Sequence, residues 1–134
     1  MIKRNTISAN EKLKSRKAIE QIFAARQSFS ADTVRVFYLL TDEECGIVKA
    51  GFGASKKYLK HAVKRNRAKR LMREAYRTQK HTITEAVNNQ EKSLYVFFLF
   101  SKNELINYSE MQNTISVILQ RLEKIIQKNL TEKL

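Results

Sequence analysis

Between Lys56 and Lys80 the chain carries eleven lysines and arginines against a single acid, Glu74, so ten of its thirteen net positive charges lie within 25 consecutive residues. A solvated surface ordinarily mixes its signs. A run this one-sided repels itself, which lowers stability until a polyanion screens it. It has to be displayed rather than buried, and some apolar stripe has to tie it down. Residues 62–79 supply such a stripe. At about 100° per residue, Ala68, Leu71, Met72 and Ala75 share an arc of roughly 100°. Arg65, Lys69, Arg73, Arg70, Arg77 and Arg67 fan across the opposite half. The spacing predicts a helix that packs on a sheet by one face and offers a rigid cationic surface on the other.

That surface has the chemistry of a nucleic-acid contact. Arginines grip phosphate oxygens in bidentate fashion, and Lys64 and Lys69 add point charges. Asn66 donates to and accepts from a base or ribose edge. Backbone donors at the helix start, near residues 62–64, favour a phosphate, and Lys56 and Lys57 extend the charge upstream. Charges kept only for solubility are the alternative, which the lack of balancing acids disfavours. A helix lying on a membrane wants large apolar residues. This stripe offers two alanines, one leucine and one methionine, so no membrane partner is expected.

The remaining segments are read around that helix. The first eight residues form a loose basic arm. Ser15 caps a short helix over residues 16–25 with Ala18, Ile19, Ile22 and Phe23 on one face. Residues 33–40 alternate Val34, Val36 and Tyr38 against Thr33, Arg35 and Phe37, a strand with two unlike faces. The acidic turn at residues 41–44 leads to a second strand over 46–54, where Gly51 and Gly53 bracket Phe52 and open the backbone to a neighbour or ligand. Residues 94–100 are apolar without alternation, as in a strand buried on both sides. Ser109 and Gln112 have capping-box spacing before a last helix striped by Met111, Ile115, Ile118, Leu122, Ile125 and Ile126. The order helix, strands, helix, strand, helix implies one α+β domain spanning residues 1–134, with a frayed tail at 129–134.

Catalytic chemistry of the chain's own is not evident. Metal-dependent hydrolysis needs clustered carboxylates, and general acid–base chemistry needs a paired acid and base. The only aspartates are Asp32 and Asp42, and His61 and His81 stand at opposite ends of the basic helix. There is no glycine-rich phosphate loop and no cysteine pair. The one cysteine, Cys45, reads as a small hydrophobe and, with no disulfide possible within the chain, fits a cytoplasmic address. No run approaches the length of a membrane span. No catalytic or metal-binding residue is expected, and no cofactor bound by the protein.

The block Ser55-Lys56-Lys57, Ala62-Val63, then the unbroken run from Arg65 to Arg77 (Arg-Asn-Arg-Ala-Lys-Arg-Leu-Met-Arg-Glu-Ala-Tyr-Arg) closely resembles the signature of the bacterial ribonuclease P protein subunit. With the flanking elements, the similarity spans about residues 8–128. The resemblance implies a small α/β sandwich like the second domain of a small-subunit ribosomal protein, with a left-handed crossover around the basic helix. It implies a subunit that joins a catalytic RNA to remove the 5′ leader of precursor tRNA. The active centre and its Mg2+ then lie in the RNA, and no obligate protein partner is needed. Lys56, Lys57, Lys64, Arg65, Asn66, Arg67, Lys69, Arg70, Arg73 and Arg77 would contact RNA. A cleft between the first helix and the sheet would hold the leader, with Phe23, Val36, Tyr38, Phe52 and Ile19 as its lining.

The chain departs from the family pattern at Ile19, where many members carry an aromatic, and in the loop Tyr58-Leu59-Lys60-His61, one residue longer than in many. A single strand needs a stacking platform beside cations, which Arg35, Lys49, Lys56 and Lys57 would supply; plain core is the alternative for the aromatics. Two other functions fit the composition. One is a ribosomal or assembly protein that binds structured RNA without any reaction. The other is a DNA reader, against which the strand following the basic helix argues.

Overall fold

The computed structural model describes residues 12, 13, 15–42, 46–88 and 92–132, with side chains through residue 128, so the expected arm at 1–8 and Cys45 fall outside the described residues. The element order is α1 (Arg16–Ala25), β1 (Ser28–Ala31), β2 (Val34–Thr41), β3 (Val48–Ala54), α2 (Ala62–Gln79), α3 (His81–Asn88), β4 (Ser93–Phe100) and α4 (Tyr108–Glu132).

Local signals account for most boundaries. The Ser15 hydroxyl accepts from the Ala18 N–H at 3.3 Å, and α1 ends where Arg26 turns left-handed with φ 55°. The last helix starts two residues earlier than the spacing of Ser109 and Gln112 suggests. Its cap is Asn107, whose Oδ1 accepts from the Glu110 N–H at 2.8 Å. An asparagine there satisfies a first-turn donor as well as a serine does. The helix continues to Glu132, into the stretch expected to fray.

Two elements carry no sequence expectation. β1 is held by antiparallel pairing with β2 through a tight turn in which Asp32 has φ 51°. α3 follows α2 after the single residue Lys80, whose carbonyl accepts from both the N–H and the hydroxyl of Thr84. It is anchored by Ile83 and Val87, one turn apart and fully buried.

The sheet order is β1-β2-β4-β3, and β3 runs parallel to β4 while the other pairs are antiparallel. The parallel pair forces a crossover, and α2 with α3 forms it. β4 is central, and its apolar side chains enter two separate clusters. Leu94, Val96, Phe98 and Phe100, with Val34 and Val36 of β2 and Val48 and Ala50 of β3, meet α2, α3 and α4 in the main core. Tyr95 and Phe97, with Phe37 and Leu39, meet Leu13 and the α1 residues Ala18, Ile19 and Ile22 on the other face. The fold is therefore the expected α+β sandwich, with one helix on one side of the sheet and three on the other among the described residues.

Candidate nucleic-acid interface

The basic helix spans the residues its stripe predicts. Ala68, Met72, Ala75 and Tyr76 are fully buried and Leu71 partly so, which seats α2 on β3 and against α4. Lys64, Asn66, Arg67, Arg70 and Arg73 are exposed, and Arg65, Lys69 and Arg77 are half-buried. Three of the arginines have neighbours within the protein. Arg77 Nη2 donates to Glu74 Oε2 at 2.9 Å, Arg73 lies 5.8 Å from the centre of the Phe52 ring, and Arg65 turns back onto the loop before the helix. At its start, α2 has no side-chain cap and no acid in its first turn. Its positive end is therefore uncompensated and favours an anion. Lys56 and Lys57 are exposed in the preceding loop, with Lys57 Nζ 5.7 Å from the Tyr58 ring centre.

The cleft expected on the other side must be corrected. Val36, Tyr38 and Phe52 lie on the sheet face covered by α2 and α4, where Val36 is fully buried and Phe52 stacks on Phe98 at 5.3 Å. Phe23 and Ile19 belong to α1, which packs on the opposite face. A cleft bringing all five together does not exist. Side chains alternate along a strand, so Phe23 meets Phe37, which lies between Val36 and Tyr38 in sequence, and Phe97 of β4. Its ring centre is 4.6 Å from that of Phe37 and 5.6 Å from that of Phe97.

Phe23 is 41% exposed, and Phe37 and Phe97 are half-buried, so the three rings form a platform open to solvent. Ile19 packs against the same cluster. Cations flank it. The Arg35 guanidinium lies 5.1 Å from the Phe37 ring centre, and Lys49 Nζ is 5.8 Å from that of Tyr95. Stacking surface beside cations is what a single-stranded nucleic acid needs.

The two glycines of β3 explain how Phe97 lies so close to its neighbour strand. Gly51 and Gly53 sit opposite Phe97 and Leu99 in register. A Cβ on Gly53 would stand 2.8 Å from Phe97 Cζ, and one on Gly51 2.9 Å from Phe97 Cδ2. The ring occupies the space two missing side chains leave. Gly53→Ala is expected to lower stability by about 1–2 kcal/mol through overpacking, read as a fall in the urea midpoint with an unchanged slope. An unaltered midpoint would mean that the ring yields freely.

Phe37 and Phe97 are the residues that reading the sequence missed. Arg35 marked their face as the one reaching solvent, and the glycine pair marked the same face on β3. Among the described residues, no three His, Cys, Asp or Glu side chains cluster as metal ligands, and no helix is long and apolar enough to cross a membrane.

Comparison with known proteins adds to this geometry. Residues 7–123 match the family model described as Ribonuclease P. A ribonuclease P protein component from Porphyromonas gingivalis is 32% identical over 119 residues, covering 87% of this chain and 85% of that one. The RNase P protein from Thermotoga maritima superimposes with a TM-score of 0.63 at 19% identity, over 83% of this chain and 96% of that one. A Staphylococcus aureus RNase P protein mutant with defective mRNA degradation activity matches with a TM-score of 0.63 at 20% identity, over 84% and 88%. At such identities the structures speak for the fold alone.

Proposed function

Since this chain belongs to the ribonuclease P protein family, we propose that it works as the protein subunit of that ribonucleoprotein endonuclease in tRNA maturation. The family membership sets aside a ribosomal or assembly protein without a reaction. In our reading the exposed face of α2, with Lys56 and Lys57, holds the catalytic RNA. The platform of Phe23, Phe37 and Phe97 takes the single-stranded 5′ leader of precursor tRNA. Mg2+ held by the RNA would supply the Lewis acid for hydrolysis, while this chain binds, orients and neutralises charge. It would act in the cytoplasm with no obligate protein partner.

The observation that carries this reading is the placement of two unlike surfaces on one small sheet. A cationic helix grips a backbone without regard to sequence. An aromatic platform on the opposite face grips unpaired bases. Together they fit a substrate with a folded body and a single-stranded tail.

The test is reconstitution. Added to a bacterial ribonuclease P RNA at low magnesium, the purified protein is expected to restore cleavage of precursor tRNA at the mature 5′ end. Stripped of RNA, it is expected to cleave neither precursor tRNA nor an mRNA substrate. The mRNA arm matters because of the activity named for the Staphylococcus aureus relative. Magnesium-dependent cleavage by an RNA-free preparation, lost on substituting a residue of this chain, would put a catalytic centre in the protein.

A further inference from the structure

The loop joining β3 to α2 contains no glycine or proline, yet it is closely held. The Ser55 carbonyl accepts from the N–H groups of both Tyr58 and Leu59, at 3.2 and 2.9 Å. The Ser55 hydroxyl accepts from the Lys57 N–H at 3.2 Å. Leu59 is 1% exposed and plugs into the main core, while its neighbours Tyr58 and Lys60 stay at the surface. From one turn into α2, Arg65 reaches back and donates through Nη1 to the carbonyls of Leu59 and Lys60, at 2.9 and 2.7 Å.

We propose that Arg65 is a positioning residue, which braces this loop so that Lys56, Lys57 and Lys60 are presented to the RNA backbone in fixed relation to Arg67 and Arg70. The inference rests on the function proposed above. Physically, a buried plug at Leu59 fixes one point of the loop, and a guanidinium across two successive carbonyls fixes its direction of approach to the helix. Carbonyls accepting from a charged donor make the stronger kind of hydrogen bond. A loop held in one conformation before binding does not lose that freedom when RNA arrives. Arg65 then contributes to affinity mainly through three lysines, of which it touches only the Lys60 backbone.

The brace predicts coupling where a plain phosphate contact predicts additivity. Four proteins are compared for binding to a bacterial ribonuclease P RNA: the wild type, R65K, K56A/K57A and the triple variant. R65K keeps the net charge but gives up the planar fork. In the wild-type background, K56A/K57A should weaken binding roughly tenfold and flatten the salt slope by about 1.4, taking about 0.7 per contact. In the R65K background the same pair should cost less than about twofold, because the lysines are already out of register. R65K alone should flatten the slope by at least about 1.4, the two contacts of Lys56 and Lys57, although no charge is lost. An unchanged slope in R65K, or the same factor for K56A/K57A in both backgrounds, overturns the proposal.

Hydrogen exchange on the free wild-type protein is a second arm that needs no variant. Protected Tyr58 and Leu59 amides support a preformed loop, and exchange as fast as in an open peptide overturns it. Failure of the wild type to bind the RNA at all would instead count against the proposed function.

Discussion

Raising the salt from 50 to 200 mM should weaken binding to the catalytic RNA by about a hundredfold to a thousandfold. Four to six neutralised phosphates, at about 0.7–0.9 each, give a log–log slope of roughly −3 to −5, and a fourfold change in salt then yields that factor. The exposed Lys64, Arg67, Arg70 and Arg73 of α2, with Lys56 and Lys57, make up that number of contacts. Arg77 should count for less, since its guanidinium is engaged with Glu74. Arg67→Ala should flatten the slope by about one contact. Filter binding or fluorescence anisotropy across a salt series measures it. A slope near zero would return the cationic face to a solubility role.

Phe23→Ala should weaken precursor tRNA by roughly ten- to a hundredfold, since stacking is worth about 1–3 kcal/mol per base, and leave mature tRNA almost unchanged. Phe23 is well placed for this test. Its ring is 41% exposed, so its removal opens no deep cavity, and it touches the platform through Phe37 and Phe97. Tyr38→Ala is the matching control. Tyr38 lies on the far face beside Phe29, with ring centres 6.0 Å apart, so its loss should affect stability and treat both tRNAs alike. If Phe23→Ala weakened the two tRNAs equally, the leader would have to lie elsewhere.

The bounds of α2 were legible because two independent patterns coincide over residues 62–79. The apolar stripe repeats at helical spacing, and the charges fill the remaining arc. Ser15 announced α1 for a local reason as well, since its hydroxyl bonds within its own first turn. β4 was legible from uninterrupted hydrophobicity, which follows from burial on both faces. β1 escaped because Ser28–Ala31 has little pattern of its own and exists by pairing with β2. α3 escaped because two apolar anchors, Ile83 and Val87, make a weak periodic signal.

The face of the cleft was the costlier error, and its cause is geometric. Alternation tells which residues of one strand share a side, but not which side faces which helix. That requires the register of β2 and β3 against β4, where Phe37 meets Phe97 and Phe52 meets Phe98. Charge held a usable clue. Arg35 shares its side of β2 with Phe37, and a charged side chain seldom shares the more buried face.

The parallel pairing of β3 with β4 also bears on how the chain reaches this structure. β4 joins β2 and β3 across long stretches of sequence, and among the described strands only the β1–β2 hairpin forms locally. Non-local pairing of this kind folds slowly, because loop closure precedes the contacts that reward it. The segment that must close is the one bearing ten of the thirteen net charges, so collapse works against its own repulsion. Small anions screen that repulsion and ease the crossover shut, while the same ions compete with RNA for the finished surface. Ionic strength thus pulls assembly and recognition in opposite directions, and a polyanion present while the chain folds would serve both.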